Sequence, residues 1–249
     1  DYGVVKMKYI QCIFTIILVL LLLLLLFNGG VDILAVDMGF STESMSEDEI
    51  ETFLKNVNIS ILENEPSKKA IDCFDVNENG EIAIGSSDFE NQTVCVYTND
   101  GDFIFGYSFE CTGNFGIELD KDVINLYFVR SDVAVTINPT GEIERVCRIQ
   151  NTAENNSYWN NCVFATKRRI GDTEYTLKND MKIFNVFASS YSQLITTSQN
   201  GEESIIYDVN SAEFVKTALA FTGVLIFVGL VVSVVILQFI KLKRCAKTS

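Results

Sequence analysis

From Ile59 to Val209 the apolar residues come in short runs, and in many of them every second position is apolar: Ile124, Leu126 and Phe128; Val133, Val135 and Ile137; Phe103, Phe105, Tyr107 and Phe109. A period of two puts such residues on one face of a strand. Read this way, the strands are Ile59–Leu62, Ala70–Val76, Glu81–Ile84, Thr93–Tyr97, Phe103–Phe109, Phe115–Leu119 and Val123–Val129. Val133–Ile137, Glu142–Ile149, Cys162–Thr166, Thr173–Leu177, Ile183–Ala188, Ser192–Thr197 and Glu203–Val209 complete the series. Asn79-Gly80, Asp100-Gly101, Thr140-Gly141 and Asn200-Gly201 separate several of them. Asn-Gly or Asp-Gly between alternating apolar runs is the strongest short signal for a hairpin, because the turn needs a positive φ. The pattern predicts a mainly β fold, an antiparallel meander.

Three stretches depart from it. Ser46 is followed three residues later by Glu49, and Ile50, Phe53, Leu54 and Val57 then recur at helical spacing. This predicts a short amphipathic helix opened by a capping box, with acids in its first turn where the helix dipole favours them. Ile10–Phe27 and Thr217–Ile240 are long uncharged apolar runs. At about 1.5 Å per residue the second is long enough for a bilayer core of roughly 30 Å. The first reads as an uncleaved signal anchor; the alternative is a signal peptide, for which Asn28-Gly29-Gly30 is the best cleavage candidate.

Charge gives the runs a direction. Asn28–Lys216 carries 32 acidic and 13 basic residues, a net of −19, and the flanks together carry 1 and 6, a net of +5. Short Lys- and Arg-rich segments stay cytoplasmic. Lys6 and Lys8 at one end and Lys241, Lys243, Arg244 and Lys247 at the other therefore place both termini inside and the acidic body outside the cell membrane. The expected map is a cytoplasmic N-terminus at 1–9, a transmembrane run at 10–27, and a linker with the helix and first strand at 28–69. A β-rich extracytoplasmic domain at 70–210, a transmembrane helix at 217–240 and a basic tail at 241–249 follow. Such acidity repels nucleic acid and anionic lipid surfaces, so neither is an expected partner of the body, and the bilayer is the expected partner of the two runs alone.

A repeat runs through the β region. Gln92–Phe105, Ser131–Glu144 and Tyr191–Ser204 each read as strand, polar turn ending in Gly, strand. Gly101 and Gly141 are 40 residues apart and Gly141 and Gly201 are 60 apart, so the third unit carries an insertion, placed at Asn151–Asn161. Forty residues is the span of one four-stranded propeller blade. On these residues the chain, over Ala70–Val209, resembles β-propeller repeat proteins. It is also similar to membrane-anchored β-rich proteins of Gram-positive bacteria, which pair an apolar N-terminus with such repeats. The resemblance implies a propeller-like meander of three or four blades, with an open sheet stack or sandwich as the alternative, and no particular activity, because propellers host unrelated functions.

Candidate chemistry is sparse. Asp75, Asn77, Asn79, Gly80 and Glu81 match the first half of a calcium loop, but the twelfth position, which should be a bidentate Glu, is Ser86. The preferred reading of the same residues is a hairpin turn, and no cofactor is expected. The chain has no histidine, which excludes Ser-His-Asp and Cys-His catalysis. Asp100, Asp102, Asp120 and Asp122 read as solvated turn residues, and no catalytic residue is assigned. Five of the seven cysteines, Cys73, Cys95, Cys111, Cys147 and Cys162, fall in the body. In an oxidising compartment they allow two disulfides and one free thiol, with no pairing deducible from spacing; the preferred reading is that several are buried, since unpaired Cys behaves as a small apolar residue. Arg130-Ser131-Asp132 and Lys167-Arg168-Arg169 read as exposed turns. Gly229 and Ser233 form a small-xxx-small pair of the kind that brings two helices together as a dimer. The function expected is a membrane-anchored extracytoplasmic module that binds or senses a protein or carbohydrate. Its alternatives are an accessory subunit of a membrane complex and, third, a carboxylate-based carbohydrate-active enzyme.

Overall fold

Two short strands, β1 (Thr42–Ser44) and β2 (Ser60–Ile61), flank helix α1 (Glu47–Val57) and precede three successive four-stranded meanders. The first is β3 (Cys73–Val76), β4 (Ile82–Asp88), β5 (Asn91–Tyr97) and β6 (Phe103–Glu110); the second is β7 (Phe115–Asp120), β8 (Val123–Phe128), β9 (Val133–Ile137) and β10 (Ile143–Ile149). The third is β11 (Lys167–Ile170), β12 (Thr173–Lys178), β13 (Gln193–Thr197) and β14 (Glu203–Asp208). Each meander is an antiparallel sheet in chain order, widened by β2 on β6 in the first and by β1 on β10 in the second. This is a computed structural model, which describes residues 39–88 and 91–245. The first apolar run, Ile10–Phe27, lies outside the described residues.

One hairpin turn recurs. Gly80, Gly101, Gly141 and Gly201 have φ between 80° and 88°, and their amides donate to the carbonyls of Asn77, Thr98, Asn138 and Ser198 three residues back. The side-chain oxygen of that earlier residue in turn accepts from the amide four residues on, in Glu81, Asp102, Glu142 and Glu202. A short oxygen-bearing side chain followed by Gly at the positive-φ position is what such a turn requires. Gly101, Gly141 and Gly201 sit on the last hairpin of their respective sheets, so the sequence repeat coincides with the three meanders.

The first sheet is buried on both faces. Cys73, Ala83, Val94, Val96, Tyr107 and Phe109 form one core with Phe115, Ile117, Leu119, Ile124, Leu126 and Phe128 of the second sheet. Phe74, Val76, Ile82, Ile84, Cys95 and Tyr97 form another with Tyr175, Leu177, Leu194 and Tyr207 of the third. The far face of the second sheet, with Tyr127, Ala134, Cys147 and Ile149, is covered by Phe40, Trp159 and Val163. Helix α1 opens with the expected capping box, and its Phe53 meets Phe128 edge to face at 5.1 Å.

Some expected strands take other forms. Cys162–Thr166 is instead the end of a helical insert, α2 (Ala153–Tyr158) running into a π-helical turn at Trp159–Val163, and the third sheet begins only at Lys167. Trp159 and Val163, one turn apart, then reach the second sheet together at Gly116, where a Cβ would stand 2.2 Å from Val163 Cγ1. Ile183–Ala188 is mostly a 3-10 helix, Lys182–Phe187, in which the Asn185 side chain accepts from the Met181 amide. Phe103 leaves the face shared by Phe105, Tyr107 and Phe109 because the β5–β6 register shifts between Val96 and Tyr97; it joins the other core beside Tyr97.

Helix α3 (Asn210–Cys245) follows β14 almost directly. Its Asn210–Ser233 part is long and apolar enough to cross a membrane, and none of that window is buried in the fold.

Candidate functional site

The first strands of the three sheets meet at one carboxylate. Asp75 on β3 accepts from Leu119 N of β7 at 2.8 Å with one oxygen and from Arg168 Nε of β11 at 2.8 Å with the other. The ion pair is largely shielded, with 15% of the Asp75 and 16% of the Arg168 side chain exposed. Arg168 Nη2 donates to Cys162 O at 2.5 Å and to Phe74 O at 3.4 Å, and the guanidinium stands 5.4 Å from the Phe74 ring centroid. Arginine suits this place because its planar fork satisfies several acceptors at once and desolvates more easily than an ammonium. The expected exposed turn at Lys167-Arg168-Arg169 is instead strand β11, and only its outer two members are exposed. Lys167 and Arg169 point outward to Glu174, and Arg168 points inward, as strand alternation demands. Arg130 and Asp132 do lie on the exposed β8–β9 turn.

A second carboxylate lies close by. Glu118 of β7 accepts from the hydroxyls of Tyr127 and Tyr158. Burial pushes its pKa up, while the two tyrosine hydrogen bonds pull it down. The tyrosines themselves are raised, first by burial and then by the Glu118 charge. Tyr158 also backs the segment that enters the domain: Phe40 packs among Tyr127, Tyr158 and Trp159 at 4.7–4.9 Å, and the Asn155 side chain bonds both Ser41 N and Ser41 O at 2.9 Å.

The candidate calcium residues are arranged as a hairpin. Asn77 Oδ1 accepts from Asn79 N and Glu81 N, and Asn77 Nδ2 donates to Glu81 Oε2 at 2.7 Å and to Lys121 O. Asp75 is held by Leu119 N and Arg168. A cation here would have to displace these bonds. Among the described residues no group of three His, Cys, Asp or Glu side chains is placed to hold a metal. The five body cysteines are free; burial raises the Cys73 thiol well above its ordinary value and the Cys95 thiol to about 11. Both are protonated at neutral pH, so they are poor nucleophiles.

Open space lies elsewhere, at the end of the sheets where α3 departs. A groove of about 1850 Å³ runs between the β4–β5, β6–β7 and β8–β9 connections and the first turns of α3, with Arg130, Asp72, Glu110 and the Lys69–Asp88 ion pair on the body side and Glu213, Lys216, Ala220 and Val224 on the helix side. The joint between body and helix is fixed. Asn210 N donates to Asp208, Asn210 Nδ2 donates to Asp180 O at 2.9 Å, and Ser192 Oγ donates to Asn210 Oδ1 at 2.8 Å. Phe184 of the 3-10 helix meets Phe214 at 5.4 Å and Phe221 at 5.8 Å. Sequence reading missed this groove, because its walls come from turns more than a hundred residues apart. The Gly229–Ser233 pair is intact as a surface: nothing lies within 4 Å of a Cβ at Gly229, and Ser233 Oγ donates to Gly229 O within the helix. Comparison with protein-family models, curated proteins and solved structures finds no match.

Proposed function

We propose that this chain is a membrane-anchored binding or sensing module. Its β-rich body stands outside the cytoplasm, Thr217–Ile240 crosses the cell membrane, and both ends face inward. In this reading the three meanders stack in propeller-like fashion, and the helical insert Ala153–Val163 covers the face where a ring would close. The first apolar run supplies a second anchor, and we assign no catalytic step. The observation that carries the proposal is the joint at Asn210: the strand β14 passes into the apolar helix with its first residue bonded to Asp180, Ser192 and Asp208, so no flexible linker separates the body from the span. A body held this way presents the groove at a fixed height above the bilayer, and a ligand that shifts the loops around it also shifts the helix.

Protease treatment of intact cells carrying a tag after Ser249 tests the topology. The expected result is loss of the body with the tagged helix protected; a tag cleaved from outside overturns it. The same chain extracted in mild detergent is expected to run alone or as its own dimer. A stoichiometric second protein favours the accessory-subunit reading instead.

A further inference from the structure

The connection from β12 to β13 runs down the side of α3 before it returns. Phe184 of its 3-10 helix, Lys182–Phe187, meets Phe214 at 5.4 Å and Phe221 at 5.8 Å. Phe221 comes eleven residues after Asn210, about 16 Å along the helix at 1.5 Å per residue, and four residues beyond Thr217, where the uncharged run begins. The loop therefore lies beside the first turns of the segment we read as membrane-spanning, not above them. Its surface is apolar. Ile183, Phe184, Val186 and Phe187 make up most of the 3-10 helix, and Val186, 85% exposed, is the most exposed large apolar side chain among the described residues. One exposed valine is ordinary on a protein surface. On a loop braced by a ring against an apolar helix that is itself uncovered, it continues an apolar surface.

The polar groups of the loop are turned onto one another. Asn185 Oδ1 accepts from Met181 N at 2.7 Å, Asn185 Nδ2 donates to Asn179 O at 3.1 Å, and the amides of Phe184 and Ala188 donate to Met181 O and Asn185 O. A segment that bonds its own polar groups can enter a medium poor in water without stranding them. The connections around the groove, by contrast, carry the charged residues Asp88, Glu110 and Arg130, which belong in water.

We propose that the 3-10 helix Lys182–Phe187 is a second membrane contact. It seats Phe184 and Val186 at the boundary between headgroups and acyl chains of the leaflet nearest the body, and Lys182 at its start reaches back to water. This deepens the anchored-module reading and rests on it. The net charge of −19 disfavours an anionic surface, so apolar side chains carry the contact and a neutral phospholipid suffices. The consequence is orientation. A lone helix leaves the body free to roll about the helix axis, whereas a second interfacial contact sets which side of the body faces the bilayer.

The full chain is reconstituted in unilamellar vesicles of phosphatidylcholine brominated either near the carboxyl end or near the methyl end of its acyl chains. Trp159, the single tryptophan of the parent, sets the baseline. Val186→Trp adds an indole on the loop. Ile104→Trp adds one beside the Gly101 hairpin, at the opposite end of the sheets, where Ile104 is 42% exposed. Both side chains face out of the fold, so both variants should keep the melting curve of the parent. The expected result is quenching of the Val186→Trp indole, with the shallow bromine about twofold more effective than the deep one, as for a group about 5–10 Å into the interface. The Ile104→Trp indole should stay bright with either lipid. Quenching of Val186→Trp no stronger than that of Ile104→Trp overturns the proposal. So does a blue-shifted Val186→Trp indole that bromine does not reach, the mark of a second copy of the chain or another protein covering the loop. Vesicle flotation separates the two layers: a chain that fails to float denies the anchor itself, whereas one that floats with Val186→Trp unquenched denies only the loop contact.

Discussion

The junction at Asp75 and the groove beside α3 are both places where distant parts of the chain converge, yet they are built oppositely. At the junction a carboxylate and a guanidinium are shielded from water, and their shortest bonds are made to a different sheet or to the helical insert. At the groove Arg130 and Lys216 are exposed among carboxylates such as Asp88 and Glu110, and apolar rings line open space. The difference separates architecture from binding: charges whose partners are all internal hold the sheets in place, whereas charges left facing solvent beside apolar surface are available to something else.

The sharpest test of that contrast sets Arg168 against Arg130. Arg168→Ala leaves Asp75 shielded with only the Leu119 amide and removes a donor from the carbonyl of Phe74 and from that of Cys162, which keeps the Ala165 amide. Removing one partner of a buried pair costs about 3–5 kcal/mol. In a chain of this size that lowers the melting temperature by roughly 10 °C, measured by circular dichroism in detergent. Arg130→Ala should stay within about 0.5 kcal/mol of the parent, as exposed substitutions do. Equal losses would break the comparison.

Much of the fold is readable from alternation and turns, because strand faces and positive-φ glycines leave local marks. The capping box of α1, the four Gly hairpins and the one-unit-per-sheet repeat are all of this kind. Arg168 shows what is not local. In the string Lys167-Arg168-Arg169 nothing marks the middle residue as shielded until Asp75, 93 residues earlier, is placed opposite it. Glu118 is similar. It alternates with Ile117 and Leu119, so the pattern points it away from the core, toward water. The insert Ala153–Val163 then covers that face and brings Tyr158, 40 residues later, against it. The groove was illegible for the same reason: its walls are turns, and turn sequence says where the chain reverses rather than what it ends up beside.

The covered face predicts the next effect in size. Gly116→Ala puts a Cβ 2.2 Å from Val163 Cγ1 and 3.3 Å from Trp159 Cζ3, whereas Gly223→Ala, on the apolar helix, meets nothing within 4 Å. Overpacking of this kind typically costs about 1–3 kcal/mol. The first substitution should therefore lower the melting temperature and the second should not. Val163→Ala combined with Gly116→Ala should recover part of the loss, because the obstructing methyl groups are removed. A double variant no better than the sum of its parts would deny that the insert packs this closely.

The smallest effect is one of sign. Glu118 and Glu49 are perturbed in opposite directions, one inside the protein and one on its rim. Burial raises the Glu118 pKa above its ordinary value near 4.5, with Tyr127, Tyr158, Asp75, Arg168 and Cys162 as the charged and titratable groups around it. A raised carboxyl favours the fold fully below its unfolded pKa, and that contribution is lost as pH rises through the folded value. Glu49 is lowered, first by its hydrogen bond with the Ser46 backbone and then by the Ser46 side chain and Arg148. Its contribution is present above 4.5 and disappears as pH falls. Melting curves from pH 4 to 7 should therefore diverge in opposite directions from the parent: Glu118→Gln gains on the parent as pH rises, and Glu49→Gln loses to it. Parallel curves for Glu118→Gln would mean that its two tyrosine bonds offset the burial completely, and the covered face of the second sheet would then be as tolerant of charge as the open groove.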